Sequence, residues 1–272
     1  MTSEMNINDE KLRNDLGWNA TLQRELDDIV DRRETTQIVG RVSRLDRGWS
    51  TVMMSARGDT MRTRNIGADV AVGDWVLISP DGERVERVLH RRSALTRRVS
   101  SDVVKAESHT VAANIDVVFL VQSAGSPSNQ RRLERELVLA FDSGAQPVIV
   151  VNKRDLIDEA MMTAMLIDIR QVAEDVAVHF VSAIDGTGLD ELRRYGNAQQ
   201  TLVVLGASGV GKSKLVNSLA GSSAQIVGEV RSGDQRGRHT TVAAELVPLL
   251  GGGWLIDTPG LRAVSLWISH RG

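Results

Sequence analysis

The sequence lacks cysteine altogether, and aromatic residues make up only 3% of its 272 residues. Without cysteine the chain can form neither disulfides nor thiolate metal sites, and it has no cysteine nucleophile. The scarcity of aromatic residues leaves Val, Leu, Ile, Ala and Met to fill the interior. No run approaches the roughly 18 consecutive apolar residues of a membrane span, and the polar N-terminus lacks the apolar core of a secretory signal. We therefore expect a cytoplasmic protein with no membrane partner.

Net charge is also small, at −2, and its distribution along the chain says more than its sum. Residues 1–35 are acidic, whereas residues 36–110 carry thirteen basic and nine acidic residues. The basic excess clusters at Arg87, Arg91, Arg92, Arg97 and Arg98. A basic patch can bind a phosphate backbone, and a solvated arginine-rich edge accounts for the same pattern equally well.

The residue pattern divides the chain into four segments. Residues 1–35 are predicted to form an acidic, helix-prone extension that is at best partly ordered. Residues 36–95 contain short runs of period two separated by turns, which favours a small all-β barrel; a five-stranded OB-type barrel, a common oligonucleotide binder, fits that length. Residues 96–110 are interpreted as a basic linker. In residues 111–272 apolar strands alternate with helices, which predicts one α/β domain with a doubly wound parallel sheet.

The strongest motif, GASGVGKS, lies between the apolar run TLVVLG and the helical run KSKLVNSLA. It matches G-x-x-x-x-G-K-[ST], the phosphate-binding P-loop. Its glycines allow backbone N–H groups to point at phosphates, and the helix N-terminus adds a favourable dipole. Lys212 is expected to reach the β- and γ-phosphates, and Ser213 to bind Mg²⁺. The residues predicted to bind the nucleotide here are Gly206, Ala207, Ser208, Gly209, Val210, Gly211, Lys212, Ser213 and Lys214.

A second motif, NKRD, follows the apolar run PVIVV. The carboxylate of Asp155 can accept hydrogen bonds from guanine N1–H and the exocyclic amino group, whereas adenine offers neither donor there. Asn152 is expected to bond the purine edge, and the stem of Lys153 to cover the ring face. Ser182 and Ala183, after another apolar run, are expected to let a backbone N–H approach the guanine oxygen. Beside a P-loop these residues predict a GTP/GDP site; an ATPase would require NKRD to be accidental.

A further motif, DTPG, follows the run WLI. Asp257 at that strand end can hold Mg²⁺, and the Gly260 N–H can bond the γ-phosphate, so that loss of this phosphate would release the loop. Between the P-loop and DTPG, the polar loop GDQRGRHTT ends in two threonines. Either Thr240 or Thr241 is the candidate second ligand of Mg²⁺ and contact of the γ-phosphate.

Catalysis depends on what orients the attacking water. Many GTPases place a Gln directly after DxxG for this purpose, but here that position is Leu261. Intrinsic hydrolysis is therefore expected to be slow unless another group assists. His239, beside the two threonines, is the candidate; a solvated loop histidine is the alternative.

The motifs occur in the order NKRD, SA, GASGVGKS, HTT and DTPG, so the guanine-reading half precedes the phosphate-reading half. A doubly wound sheet tolerates this order if the original termini lay close together. The sequence therefore describes a circularly permuted, P-loop G domain. From about Thr36 to Leu266 the chain resembles the RsgA family of ribosome small-subunit-dependent GTPases, in segments such as GRVSRLDRGW, AVGDWV, GASGVGKSKLVNSL, GRHTT and DTPGLR.

This resemblance implies an OB-fold N-domain, a permuted GTPase, late maturation of the small ribosomal subunit as its role, and stimulation of hydrolysis by that subunit and contact with its rRNA. It also points to His239 in hydrolysis. The family continues into a helical module with a Cys/His zinc site, whereas this chain ends at Gly272 without cysteine, so zinc is not expected here. We expect a monomer. The alternative interpretation is an RNA- or ribosome-docking factor whose bound nucleotide is structural and turns over negligibly.

Overall fold

The structure is a computed structural model that describes residues 14–30, 38–56, 58–67, 69–98, 108–126, 129–197, 199–221 and 244–257. Its helices are α1 (Ala20–Val30), α2 (Gln130–Asp142), α3 (Glu159–Arg170), α4 (Leu189–Arg193) and α5 (Lys212–Ala220), with short 3₁₀ turns at Arg154–Leu156 and Arg194–Gly196. None of the described helices has the length and apolar character needed to cross a membrane.

The strands are numbered in chain order. They are β1 (Ile38–Asp46), β2 (Trp49–Met53), β3 (Thr60–Arg64), β4 (Trp75–Ile78), β5 (Val85–Val88), β6 (Ala94–Arg98), β7 (Ser108–Ala113), β8 (Val117–Ser123), β9 (Gln146–Asn152), β10 (Ala177–Phe180), β11 (Thr201–Gly206), β12 (Glu245–Pro248) and β13 (Trp254–Asp257). Within the described part of the chain, eleven of them form one continuous sheet and β6 pairs only with β7.

The α/β part is built on parallel strands in the order β10-β9-β8-β11-β13, and β12 adds to β13 in the antiparallel sense. The central strands are apolar on both faces, as expected for a parallel sheet covered on both sides. Leu133 and Leu137 of α2 pack on one face, and Leu215 and Leu219 of α5 pack on the other. The predicted α/β fold class is confirmed.

The N-terminal strands form a small antiparallel barrel. β1 pairs with β2 and β4, β2 pairs with β3, and β4 pairs with β5. A parallel bridge between Arg64 and Arg84 joins the end of β3 to the start of β5. The pairings therefore run 1-2-3-5-4-1, which is the closed five-stranded arrangement expected of an OB-type barrel.

The segment interpreted as a basic linker has regular structure at both of its ends. β6 and β7 pair as an antiparallel hairpin, with Leu95 opposite Ala112 and Arg97 opposite His109. Residues 99–107 lie outside the described part of the chain. The described residues at the two ends of the expected linker therefore belong to strands that pair with each other.

The described part of the N-terminal extension packs into the main core, where only partial order was expected. Leu16, Trp18, Leu22, Leu26 and Ile29 are all buried there. The ring of Trp18 meets Trp75 of the barrel edge-on, with 4.7 Å between the ring centroids, and Trp75 is a core residue. The apolar face of α1 therefore covers the junction between the barrel and the α/β part.

One buried cation binds these three parts together. The guanidinium of Arg41, on β1, is fully buried and donates to the carbonyls of Leu16 (2.6 Å) and Gly73 (3.3 Å) and to the hydroxyl of Thr201 (2.7 Å). Burial lowers the pKa of Arg41 to about 10, with Asp116 opposing the shift, so the side chain stays charged at neutral pH. A buried charge is tolerated here because several acceptors surround it.

Candidate nucleotide-binding site

The predicted motifs lie at the carboxyl edge of the parallel strands, where open α/β sheets bind their ligands. NKRD follows β9, Ser182 and Ala183 follow β10, the P-loop follows β11, and Asp257 ends β13. In the sheet these strands lie in the order β10-β9-β8-β11-β13, so the motifs lie along one edge of the sheet. By contrast, His239, Thr240, Thr241 and Gly260 lie outside the described residues.

The P-loop turns sharply between β11 and α5. Gly206, Gly209 and Gly211 have positive φ values of 147°, 82° and 93°. A Cβ on Gly206 would lie 2.4 Å from the carbonyl oxygen of Val121, so glycine is required by space as well as by conformation. α5 begins at Lys212 directly after Gly211, which leaves the first N–H groups of the helix directed into the loop.

Lys212 folds back over its own loop. Its Nζ donates to the carbonyl oxygens of Gly206, at 2.8 Å, and of Ala207. The ammonium group therefore sits inside the loop, where phosphate oxygens would be its partners in a nucleotide complex. Ser208, Gly209, Ser213 and Lys214 are exposed around the same loop.

Asn152 connects three of the motifs through its side-chain amide. The residue is buried, with 2% of its surface exposed. Its Nδ2 donates to the carbonyl of Val210 at 2.9 Å, and its Oδ1 accepts from the N–H of Ala183 at 3.2 Å. A Cβ on Gly211 would lie 2.4 Å from this Nδ2. In the structure Asn152 thus braces the loops against each other, where the sequence suggested contact with the purine edge.

Lys153 and Asp155 line the guanine end of the site. Lys153 has a left-handed backbone (φ 66°), and its Nζ donates to the Gly209 carbonyl at 2.7 Å, so its stem spans from the NKRD loop to the P-loop. The buried hydroxyl of Ser182 donates to Oδ1 of Asp155 at 2.6 Å and orients this exposed carboxylate. The N–H of Ala183, expected near the guanine oxygen, is engaged by Asn152.

Two of the predicted magnesium ligands are described. Ser213 lies in the first turn of α5, and Asp257 ends β13, the strand that pairs with β11. A hydroxyl and a carboxylate are oxygen ligands of the kind that Mg²⁺ prefers, with phosphates and waters completing its coordination. Among the described residues no group of three or more His, Cys, Asp or Glu could hold a metal by itself.

A buried acidic residue beside the P-loop was missed in the sequence. Glu136 of α2 is 4% exposed; its Oε1 accepts from Nε of Arg132 (2.7 Å) and its Oε2 from Nε2 of Gln122 (3.0 Å). Burial raises the pKa of Glu136, while Arg132, Gln122 and the charge of Lys212 oppose that shift. The signal was present, because Glu136 shares the helix face of Leu133, Leu137 and Ala140.

Two arginines of the predicted basic cluster have structural partners. Arg91 forms two hydrogen bonds to the buried carboxylate of Asp74, at 2.8 and 2.7 Å, and Arg92 pairs with Asp116 at 3.1 Å. Burial raises the pKa of Asp74, and the hydrogen bonds from Arg91 oppose that shift. Arg92 thus joins the end of the barrel segment to Asp116 of the α/β part, whereas Arg91 is paired with Asp74 of the barrel segment itself, and Arg87 remains exposed.

A different basic surface lies on the outer face of the barrel. The guanidinium groups of Arg62 and Arg64 lie over the ring of half-buried Trp49, at 4.9 and 5.1 Å. Arg44 belongs to the same face, since Arg44 and Arg62 both pair with Thr51. We call Arg44, Trp49, Arg62 and Arg64 the barrel patch. An aromatic ring between exposed arginines suits stacking of bases and binding of phosphates.

Comparisons with known proteins agree with this geometry. The model of the RsgA GTPase family matches residues 88–267. A small ribosomal subunit biogenesis GTPase RsgA of Methanosarcina acetivorans is 37% identical, over 94% of this chain and 69% of its own length. The protein of that name from Streptomyces avermitilis is 39% identical, over 94% of this chain and 70% of its own.

Solved structures extend the likeness to the fold. YjeQ from Thermotoga maritima superposes with a TM-score of 0.63 at 26% identity, covering 85% of this chain and 77% of that one. YloQ, described as a circularly permuted GTPase, gives 0.59 at 24% identity, with 85% and 74% coverage, and shows the same fold. The guanine-type motif precedes the P-loop in the sequence, and the two meet at one edge of the sheet. Since the family model also matches most of the chain, this chain belongs to the RsgA GTPase family and is a circularly permuted GTPase.

Proposed function

We propose that this chain hydrolyses GTP to GDP and phosphate with Mg²⁺ during late maturation of the small ribosomal subunit, and that binding to the subunit stimulates the reaction. The observation that carries the proposal is the bracing of three loops by Asn152, which makes one cradle of the guanine end and the phosphate end. The ribosomal part rests on relatives named small ribosomal subunit biogenesis GTPases.

The cradle has a guanine end and a phosphate end. Asp155, oriented by Ser182, accepts the two N–H donors of guanine, and the Lys153 stem covers the base. At the other end the P-loop N–H groups and Lys212 bind the β- and γ-phosphates, and the carbonyls that now hold Lys212 give way to phosphate oxygens. Discrimination against adenine follows because adenine presents no N–H donors to the Asp155 carboxylate at that edge of the base.

Ser213 and Asp257, with Thr240 or Thr241, would hold Mg²⁺. The ion neutralises charge on the phosphates when it is bound. His239 orients the attacking water in place of the missing glutamine, and the N–H of Gly260 bonds the γ-phosphate. Intrinsic turnover is slow in this scheme, since Leu261 offers the water no hydrogen bond.

The barrel patch supplies the contact with rRNA. Its arginines bind phosphates, and Trp49 offers a face on which an unpaired base can stack. The protein acts in the cytoplasm, as a monomer, where it meets the subunit.

The test is phosphate release from GTP by the full chain, alone and with purified small ribosomal subunits. We expect stimulation of roughly tenfold or more by the subunits, and His239→Ala to reduce that stimulated rate without changing nucleotide affinity. A chain that binds GDP tightly but shows no turnover in either condition would instead be a docking factor with a structural nucleotide.

A matched pair of double variants tests the RNA contact in the same assay. Arg62→Glu with Arg64→Glu should raise the subunit concentration needed for half-maximal stimulation. Arg131→Glu with Arg135→Glu makes the same charge change on the exposed face of α2 and should leave that concentration unchanged. Equal effects of the two pairs would remove the barrel patch from the proposal.

A further inference from the structure

A buried carboxylate lies next to the P-loop, and the proposed reaction makes no use of it. Glu136 is enclosed on α2 among Leu133, Leu137 and Ala140, where the helix packs against the sheet. A carboxylate in such a place costs free energy unless its hydrogen bonds are satisfied. An apolar residue would fill the same position without that cost in free energy, which suggests a functional role for the charge of Glu136.

The contacts of Glu136 place its charge at the phosphate end of the site. Gln122, which holds Oε2, follows Val121, and Val121 pairs with Gly206, the first residue of the P-loop. Arg132, one helical turn earlier, holds Oε1 from the side facing solvent. The carboxylate is therefore held by α2 and by the end of β8. Strand β8 pairs with β11, the strand that the P-loop follows.

The charge of Glu136 acts on Lys212. Burial raises the pKa of Glu136, and Arg132, then Gln122 and the positive charge of Lys212, oppose that shift. These are the charged and polar groups that face the carboxylate from α5, α2 and β8. The carboxylate of Glu136 and Lys212 attract each other, and the same negative charge repels any other anion that binds at Lys212.

The phosphates of a bound nucleotide are such anions. Glu136 offsets part of the charge of Lys212, whose Nζ donates to the Gly206 and Ala207 carbonyls. When phosphates arrive at Lys212, the fixed carboxylate repels them across a partly dry protein interior, where charges are weakly screened. A triphosphate brings one more charged group to Lys212 than a diphosphate and feels this repulsion more strongly.

We propose that Glu136 sets the nucleotide affinity of this GTPase, because its buried carboxylate weakens the binding of phosphates at Lys212 and keeps nucleotide exchange fast. The inference rests on the proposed guanine-nucleotide site. Glu136 is a positioning residue that acts through Lys212, and it touches no substrate atom. If Glu136 served only to fasten α2 to β8, its replacement would change the stability of the fold and leave the nucleotide affinity unchanged.

The test compares Glu136→Gln with Glu134→Gln in the full chain. The glutamine keeps the shape at position 136: its amide oxygen can accept from Arg132 and its amide N–H can donate to the Gln122 side-chain oxygen once the Gln122 amide turns over. Glu134 is exposed on the same helix and gives the same change of charge. Equilibrium affinities and dissociation rates are measured for fluorescent GDP and for a non-hydrolysable fluorescent GTP analogue. Thermal unfolding of each variant checks that it folds.

The account predicts that E136Q binds GDP several-fold tighter and the GTP analogue about tenfold tighter, mainly through slower dissociation, whereas E134Q stays within about twofold of the unchanged chain. A second variant, E136L, removes the charge with an apolar side chain suited to that helix face and should shift affinity in the same direction. It provides the answer if E136Q does not fold.

Three results overturn the inference. Unchanged affinity would make Glu136 purely structural. Weaker binding would mean that Glu136 serves to aim Arg132 at the phosphates. An equal gain in E134Q would mean that only net charge matters. Failure of the unchanged chain to bind either nucleotide would count against the proposed function itself, and is thereby distinguished from failure of this inference.

Discussion

At the residue scale, Asn152 is the side chain that links the NKRD loop to the P-loop and to Ala183. The amide needs both of its functions, since Nδ2 donates to the Val210 carbonyl and Oδ1 accepts from the Ala183 N–H. Gly211 provides the room for this approach. A neutral side chain with one donor and one acceptor is the minimum that can brace these two loops.

Asn152→Asp keeps the shape of the side chain but replaces the donor with a second acceptor opposite the Val210 carbonyl. We expect GDP affinity to fall at least about tenfold, since an unsatisfied buried polar group costs about 1–3 kcal/mol and the loops separate. Titration with fluorescent GDP measures the change. Asn217→Asp, an exposed position on α5, is the control and should bind within about twofold; equal effects would contradict the bracing role.

The sequence predicts most residues of this cradle because phosphate and guanine recognition impose short local patterns. GASGVGKS and NKRD are contiguous, and each follows an apolar strand, so their positions at the sheet edge follow from the fold class. The direction of the Asn152 side chain and the partners of Glu136 depend on contacts across 58 and 14 positions of sequence. Local pattern carries no information about such contacts.

At the element scale, α1 and β1 form the joint between the barrel and the α/β part. Trp18 and Trp75 pack there, and the indole of Trp254 donates to the Asp15 carbonyl at 2.9 Å. Arg41 connects Leu16 on one side with Thr201 of β11 on the other. The strand that carries the P-loop is therefore hydrogen-bonded to the barrel at its opposite end.

Arg41→Met preserves much of the side-chain volume but leaves the buried oxygens of Leu16 and Thr201 without this donor. We expect the free energy of unfolding to fall by about 2–4 kcal/mol, measured by denaturant titration. Arg44→Met is the matched control on the same strand, because its ion pair with Asp46 is exposed; it should cost less than about 1 kcal/mol. Similar losses in the two variants would show that Arg41 is not the joint.

The helix α1 shows why the acidic extension was underestimated from sequence. Its apolar positions have helical spacing, but a short acidic helix gains little stability alone. The apolar residues of α1 lie in the same core as Trp75 and Trp254, and the segment just before the helix is held by hydrogen bonds from Arg41 to the Leu16 carbonyl and from Trp254 to the Asp15 carbonyl. These two hydrogen bonds span 25 and 239 positions of sequence, and the local sequence pattern gives no sign of them.

At the scale of the whole molecule, the barrel and the G domain share one sheet. β1 of the barrel pairs with β12 through Arg44 and Glu245, and β12 pairs with β13, which ends at Asp257. The barrel patch on β1, β2 and β3 is thus joined by continuous strands to the strand that carries a predicted magnesium ligand. This shared sheet is the physical connection that the proposed function requires between the barrel patch and the nucleotide site.

The central claim is that the permuted halves form a single guanine-nucleotide site. Competition against fluorescent GDP bound to the full chain, with GTP and ATP as competitors, tests it most directly. We expect GTP to displace the probe and ATP to fail to do so even at roughly hundredfold excess. In Asp155→Asn the concentrations of GTP and ATP needed for displacement should lie closer together. Displacement by ATP as effective as by GTP would contradict the account.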